Sequence, residues 1–197
     1  MPVIVLPYIP STITVHLGLP DQWAENVTVS FPDYVKNVAS SEIYPTWELS
    51  AIRANVLAII SFALNRVYTE FYPSRGYDFD ITSTTAYDQK FIRGRNIFEN
   101  ISRVVDESFN DYIRRSGFVE PLAAKFCNGT TSTCDGLSQW GSQDLARQGY
   151  GPMEVLRHYY GERIELVRDA PIRDLGRSYP GCLLYTSDAA DEARSVD

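Results

Sequence analysis

The chain has 197 residues, which is long enough for one domain with a substantial hydrophobic core. Its 44% hydrophobic and 22% charged residues exclude an intrinsically disordered protein, and its net charge of −7 argues against nucleic acid as a partner. No continuous apolar run is long enough to cross a bilayer, so we expect no transmembrane segment. The apolar N-terminus lacks a basic flank and a small-residue cleavage site, and it is therefore not predicted to be a signal peptide.

The first predicted elements are two strands, at residues 12–16 and 26–31, where β-branched residues alternate or cluster. A short helix follows directly. Pro32 suits its first turn, because proline has no backbone N–H to leave unpaired there, and the helical spacing of apolar residues continues to Glu42.

A long helix is predicted over residues 47–72. Thr46 is expected to cap it, and Glu48 in its first turn suits the helix dipole. The sequence AIRANVLAIISFALNRV is apolar on almost every side. We therefore expect a central helix that is buried by neighbours on most of its surface.

The later predicted elements are short and follow no regular alternation of strand and helix. They are a strand or extended loop at 80–85, a helix at 98–115, a strand at 119–126, helices at 137–148 and 152–160, and a strand at 163–167. The predicted fold class is α+β, a helix-rich single domain with a long buried central helix and short, mostly antiparallel strands.

The C-terminal residues differ in character from the rest of the chain. The string CLLYTSDAADE resembles a translated sequencing-adapter artefact that recurs at the ends of environmental gene models. The residues that follow have no hydrophobic periodicity. We therefore predict one domain at residues 1–178 and a non-native or disordered tail at residues 179–197, with no packed contacts from residue 182 onward.

Glu42 is the residue whose position most needs an explanation. It lies on the same helical stripe as the apolar residues Val35, Val38 and Ala39. A structural alternative is a helix-terminal glutamate that turns back to solvent. If the carboxyl is instead packed between two helices, desolvation raises its pKa, and a glutamate of that kind can donate a proton near neutral pH.

Three stretches in order along the chain carry a family signature. Residues 31–64 read as an acidic-Tyr-Val start, a Glu-Ile turn with Pro, a Trp and an Ala-rich helix. Residues 80–91 (DITSTTAYDQKF) and 136–161 (GLSQWGSQDLARQGYGPMEVLRHYYG) add an Asp-Ile…Gln segment and a Ser-Gln-Trp-Gly block with a trailing Tyr-Tyr. Over about residues 28–167, the chain resembles the stage II sporulation protein D and amidase-enhancer family, most specifically at Ser138–Gly141.

The resemblance implies a lytic transglycosylase that cleaves the glycan strands of peptidoglycan in a spore-forming bacterium. Glu42 holds the position of the family's catalytic glutamate. Gln89, Gln139 and Trp140 are candidate substrate-binding residues, since amides suit N-acetyl and hydroxyl groups and an indole can stack on a sugar. Each of these three side chains could instead have a purely structural role. The resemblance also implies a cell-wall amidase as partner and a location in the cell envelope or spore compartment.

One departure from the family pattern bears on activity. Ile60 occupies the position in the long helix where members often carry an arginine, and Arg53 or Arg66 are the substitutes to consider. Loss of that arginine favours an alternative function, a non-catalytic module that binds the cell wall or enhances an amidase. A cytosolic α+β protein of unrelated function is a third hypothesis.

Metal and cofactor binding are not expected. Some members carry a zinc-associated His-Cys pair where this chain has Ala86, Tyr87 and Asp88. Cys127 and Cys134 could ligate a metal, form a disulfide or remain free thiols, and free thiols are the default interpretation. Too few further ligands are available for a metal site.

Overall fold

The computed structural model describes residues 4–174 and the backbone of residues 183–184. The helices in this part of the chain are α1 (Phe31–Glu42), α2 (Leu49–Tyr68), α3 (Glu99–Ser108), α4 (Gln139–Arg147) and α5 (Pro152–Tyr160), with a 3₁₀ turn at Pro73–Arg75. The strands are β1 (Ile9–Pro10), β2 (Thr12–His16), β3 (Asn26–Ser30), β4 (Ile81–Thr82), β5 (Tyr112–Arg115), β6 (Phe126–Cys127), β7 (Leu137–Ser138), β8 (Ile164–Val167), β9 (Ile172–Arg173) and β10 (Leu183–Leu184). The α+β prediction is confirmed.

Helix α2 is the central element of the fold. It contacts α1, α3, α4, α5 and β5, so that Ile52, Ile59 and Ile60 are almost completely buried. Its buried polar residues have partners: Asn55, for example, donates from Nδ2 to Ser142 Oγ at 2.8 Å. The predicted long buried helix is therefore confirmed, since a helix that is apolar all round needs neighbours on every side.

The predicted ends of this helix were wrong by several residues. It begins at Leu49, with Glu48 rather than Thr46 at the N-cap, and no side chain caps it. The backbone N–H of Glu48 donates instead to Gln143 Oε1 at 2.9 Å. A side chain from a distant helix thus provides a hydrogen bond at this end of the helix, and local sequence could not indicate it.

The largest described sheet has four strands in the order β10-β3-β2-β4. Strand β2 pairs antiparallel with β3 and parallel with β4, and β10 pairs parallel with β3. Strands β5 and β8 form a second antiparallel ladder. The expectation of mostly antiparallel strands holds for these two longer ladders, whereas the two-residue pairings in the described part of the chain, including β1 with β9 and β6 with β7, are parallel.

Three predicted elements differ from the structure. The helix expected at 98–115 ends at Ser108, and its last residues form β5, because β8 offers them a strand partner. The strand expected at 119–126 is mostly irregular, and Pro121 makes only an isolated bridge to Arg114. The helix expected at 137–148 begins two residues later, after β7.

The predicted tail lies outside the described residues except at Leu183–Leu184. The backbone of these two residues pairs with Val27 and Thr28 of β3, a contact that the prediction of an unpacked tail did not include.

Candidate functional site

Glu42 is the last residue of helix α1 and lies where this helix reaches the protein surface. Ser30 caps the helix by accepting a hydrogen bond from the backbone N–H of Asp33 at 3.2 Å. Val35 and Val38 on the Glu42 stripe are completely buried. This face of α1 therefore packs in the core as far as Glu42, whose carboxyl lies at the boundary between the core and a groove.

Two hydrogen bonds hold the Glu42 carboxylate. Its Oε1 accepts from the backbone N–H of Lys90 at 3.0 Å, and its Oε2 accepts from Gln139 Nε2 at 3.1 Å. Burial raises the pKa of Glu42 above its ordinary value, while these hydrogen bonds and the Lys90 charge act in the opposite direction. The net shift is upward, which favours a protonated carboxyl closer to neutral pH.

The groove beside Glu42 has a volume of about 980 Å³. Its walls are the turn between α1 and α2, the loop after β4, the loop between Cys127 and Cys134, and Gln139 at the start of α4. This volume lies at the upper end of the range of about 300–1,000 Å³ found for ligand sites, and the groove is open, so an extended ligand fits better than a compact one.

Gln139 reaches Glu42 from the first turn of α4. Ser138 caps this helix by accepting from the backbone N–H of Gly141 at 3.0 Å. The Gln139 side chain is almost fully buried and lines the groove. Of the predicted substrate-binding residues in the described part of the chain, it is the one that directly contacts Glu42.

Trp140 belongs to an aromatic cluster next to the groove. Its ring lies 5.1 Å from that of Trp47 and 5.6 Å from that of Tyr44. Tyr44 is 55% exposed and lines the groove. Tyr44 was not among the residues predicted from the sequence, although its position two residues after Glu42 and directly before Pro45 could have indicated it.

Gln89 is buried in the core behind the groove. Its Oε1 accepts from the Tyr34 hydroxyl at 2.9 Å, and its Nε2 donates to the Ile59 carbonyl at 3.2 Å. The Gln89 amide thus has a structural role. Its hydrogen bonds anchor the loop in which the next residue, Lys90, contacts Glu42.

Asp88 is a second residue of the site that was not predicted from the sequence. Its side chain is fully buried and accepts from Arg66 Nε at 2.7 Å, from the Tyr72 hydroxyl at 2.6 Å, and from the backbone N–H and hydroxyl of Thr82. This network fixes the loop that carries Lys90.

The candidate substitutes for the family arginine lie elsewhere. Arg66 is held by Asp88, and Arg53 pairs with Glu107 at 3.0 Å. Ile60 itself is completely buried in the hydrophobic core. Among the residues that the structure describes, no arginine donates a hydrogen bond to Glu42.

Cys127 and Cys134 form a disulfide, with their Cα atoms 6.0 Å apart. The default interpretation of free thiols was therefore wrong. A separation of seven residues is compatible with metal ligation, a disulfide or free thiols. The fold shows the turn that brings the two sulfur atoms together, in which Gly129 has φ +88°. No group of three or more potential metal ligands occurs among residues 4–174.

One described helix passes a length and composition test for crossing a membrane. The segment Leu49–Arg75, which contains α2, qualifies, but 83% of its apolar window is buried inside the protein. In this fold the segment is the central core helix.

A comparison of the sequence with models of known protein families identifies the family that it matches. The family described as SpoIID, stage II sporulation protein, matches residues 21–113. This part of the chain belongs to the SpoIID family. The match includes Glu42, Ile60, Gln89 and Lys90, and membership in the stage II sporulation protein family indicates a sporulation-related function at the cell wall. No curated protein matches the chain.

Proposed function

We propose that this member of the stage II sporulation protein family cleaves peptidoglycan glycan strands by a lytic transglycosylase mechanism. The observation that carries the proposal is the partly buried Glu42 carboxyl in an open groove, with its two oxygens held by Lys90 and Gln139. Its pKa is raised by burial, as a general acid that operates near neutral pH requires.

One carboxyl can perform both halves of this reaction. Protonated Glu42 donates its proton to the glycosidic oxygen as the bond from that oxygen to the anomeric carbon breaks. The resulting carboxylate then removes a proton from the 6-hydroxyl of the muramic acid, and this oxygen bonds to the anomeric carbon to close a 1,6-anhydro ring. The proton returns to Glu42 and no water is consumed.

The second acid of the groove is unavailable for catalysis. A glycosidase that uses water commonly needs two catalytic carboxyl groups. Among the described groove residues the other carboxylate is Asp88, whose oxygens are occupied by Arg66, Tyr72 and Thr82. The arrangement therefore suits an intramolecular nucleophile better than activated water.

The neighbours of Glu42 support its two roles, proton donation and proton removal. Both hydrogen bonds are made to the ionised carboxylate, and they stabilise the form that exists between proton donation and proton removal. Gln139 is also placed to contact a sugar in the groove. Gln89 supports the site through Lys90, and Trp140 supports it through Tyr44.

The disulfide supports a location outside a reducing cytosol. Disulfides persist in oxidising compartments, and this one lines the groove itself. That location is where peptidoglycan and a cell-wall amidase partner would be met.

A second candidate function is a module that binds the cell wall or enhances an amidase without cleaving glycan. The observation that favours it is Ile60, buried in the core where family members often carry an arginine. The groove remains intact in this alternative, but the carboxyl lacks a cationic side chain from α2.

The test is to incubate the purified protein with glycan strands freed of stem peptides, in water enriched in ¹⁸O. Mass spectrometry should detect 1,6-anhydromuramyl ends without ¹⁸O. Reducing ends that carry ¹⁸O would indicate a hydrolase and refute the mechanism. Binding without cleavage would establish the second candidate.

A further inference from the structure

Arg95 is a cation in the Glu42 groove whose side chain has no hydrogen-bond or ion-pair partner in the described part of the chain. Its Nε is buried and has no hydrogen-bond acceptor among the described residues. The guanidinium lies 5.7 Å from the Phe98 ring centroid, which is also in the groove wall. A buried donor without an acceptor is costly, so a partner is expected to reach it from the groove.

Two other arginines, one of them close to Arg95 in sequence, are paired with carboxylates. Arg93, two residues earlier, contacts Glu25 at 2.6 Å, and Arg66 contacts Asp88 at 2.7 Å. Arg95 therefore differs from its neighbours in facing the groove rather than a carboxylate of the protein.

The charges in the groove favour an anionic ligand. Its charged residues are Glu42, Asp88, Lys90 and Arg95. Asp88 is paired with Arg66, so Glu42, Lys90 and Arg95 remain, and these three carry a positive excess even when Glu42 is ionised. Lys90 and Arg95 then form a local positive site on a protein whose net charge is −7. Such a local reversal of sign attracts anions that the whole protein would repel.

We propose that Arg95, with Lys90 as a second cation of the same groove, forms a subsite that binds a carboxylate of the glycan strand. This inference rests on the proposed function. Two sources offer the same chemistry: the lactyl group of a muramic acid whose stem peptide has been removed, and the carboxylates of a stem peptide. The planar guanidinium pairs with a carboxylate through two parallel hydrogen bonds, which a neutral sugar cannot provide.

Arg95 acts in binding and is not a substitute for the family arginine. Lys90 contacts Glu42 through its backbone N–H at 3.0 Å, whereas neither of the two hydrogen bonds to the Glu42 carboxylate comes from Arg95. Lys90 is therefore expected beside the scissile bond, and Arg95 beside a neighbouring part of the strand.

Binding measured in a Glu42→Gln background tests the subsite without cleavage. Calorimetry would compare three ligands of equal sugar length, namely a strand fragment without stem peptides, the same fragment with stem peptides, and a chitooligosaccharide, which has no carboxylate. Arg95→Gln should weaken binding of the carboxylate-bearing fragments about tenfold or more, because hydrogen bonds to charged groups are among the strongest. Binding of the chitooligosaccharide should not change.

Arg93→Gln is the matched control, since it removes a nearby arginine that pairs outside the groove. It should leave all three affinities unchanged. Arg95→Lys should retain part of the affinity for the charged fragments, and thermal unfolding of each variant would confirm that it folds. Added salt should weaken binding of the charged fragments more in the protein with Arg95 than in Arg95→Gln.

The outcomes separate the subsite from the proposed function. Loss restricted to the fragment with stem peptides would assign the carboxylate to the peptide, and loss for the bare fragment would assign it to the lactyl group. Retained glycan binding with no dependence on Arg95, or an equal loss for the chitooligosaccharide, would overturn the subsite alone. Failure of the Glu42→Gln protein to bind any glycan would overturn the proposed function and the subsite together.

Discussion

Gln139 donates a hydrogen bond to Glu42 across 97 positions of sequence, with 3.1 Å between Nε2 and Oε2. The first residue of α4 thereby contacts the last residue of α1. The contact links the part of the chain that matches the family to a segment beyond the match. It brings together the candidate acid and a neutral donor that stabilises its ionised form.

The first prediction concerns proton transfer by Glu42. Glu42→Gln keeps the shape of the side chain but cannot donate or accept a proton at the glycosidic bond. Glycan cleavage should fall at least about 10²-fold, in the range that general acid–base catalysis contributes, while binding is retained. The rate of release of anhydromuramyl ends measures this. Glu48→Gln is the control, because Glu48 is exposed and caps no helix with its side chain. Full activity in the Glu42 variant would contradict the mechanism.

The second prediction concerns pH. Cleavage should decline as pH rises through the raised pKa of Glu42, since the proton donor is then lost. The hydrogen bond from Gln139 favours the ionised form, so Gln139→Met should raise the pKa further and move this decline to higher pH. The pH profile of kcat measures the shift. Gln148→Met, at the exposed end of α4, should leave the profile unchanged, and a shift of the Gln139→Met profile to lower pH would refute the assignment.

The third prediction concerns the buried Asp88 network. Asp88→Asn leaves Arg66 without its charged partner in a site where the Asp88 side chain is fully buried. The free energy of unfolding should fall by about 3–5 kcal/mol, as found when one member of a buried pair is removed. Urea denaturation measures this loss. Glu107→Gln breaks the exposed pair with Arg53 and should cost no more than about 1 kcal/mol. Equal effects of the two substitutions would show that the Asp88 network does not anchor the loop.

The fourth prediction concerns the disulfide. Replacing Cys127 and Cys134 by Ser opens a loop that lines the groove. The stability should decrease by about 2 kcal/mol, the lower part of the usual range, because the closed loop is short. Glycan affinity should also decrease, since one wall of the groove is no longer fixed. Reductant should reproduce both changes in the native chain and have no further effect on the double variant, and unchanged affinity would contradict a role in the groove.

The fifth prediction separates Tyr44 from Trp140. Tyr44 is 55% exposed in the groove, so Tyr44→Ala should weaken glycan binding with little loss of stability. Trp140 packs against both Tyr44 and Trp47, so Trp140→Ala should destabilise the fold by about 3 kcal/mol. Calorimetry and urea denaturation distinguish the two effects. Trp23→Ala is the control for both, because Trp23 is 98% exposed and lies outside the groove wall. Weaker binding without destabilisation in Trp140→Ala would instead make Trp140 the sugar platform.

Much of the fold could be predicted from local patterns. The strands at 12–16 and 26–30, helices α1 and α5, and strand β8 are confirmed, because each has its own periodicity and a Pro or Gly near one end. The change from α3 to β5 could not be predicted. Apolar spacing remains helical there, and only the pairing of Tyr112–Arg115 with β8 favours a strand.

The candidate site was predictable only in part. Glu42 was recognisable because a carboxylate stood on an apolar stripe, and Gln139 because it lay in a distinctive Ser-Gln-Trp-Gly block. Their contact, the buried role of Gln89 and the disulfide between Cys127 and Cys134 required the fold. Each depends on which distant segments meet, and no local pattern encodes that choice.

The sequence by itself determined the composition of the core, the stripe that ends at Glu42 and the family signature. These follow from spacing along the chain, because helical periodicity decides which side chains share a face. Tertiary structure alone decided that Asp88 and Gln89 hold Lys90 against Glu42 and that Arg95 Nε is buried at the groove without a hydrogen-bond acceptor among the described residues. The physical reason is that burial and hydrogen-bond partners, which set the charge and pKa of a group, are properties of the packed molecule.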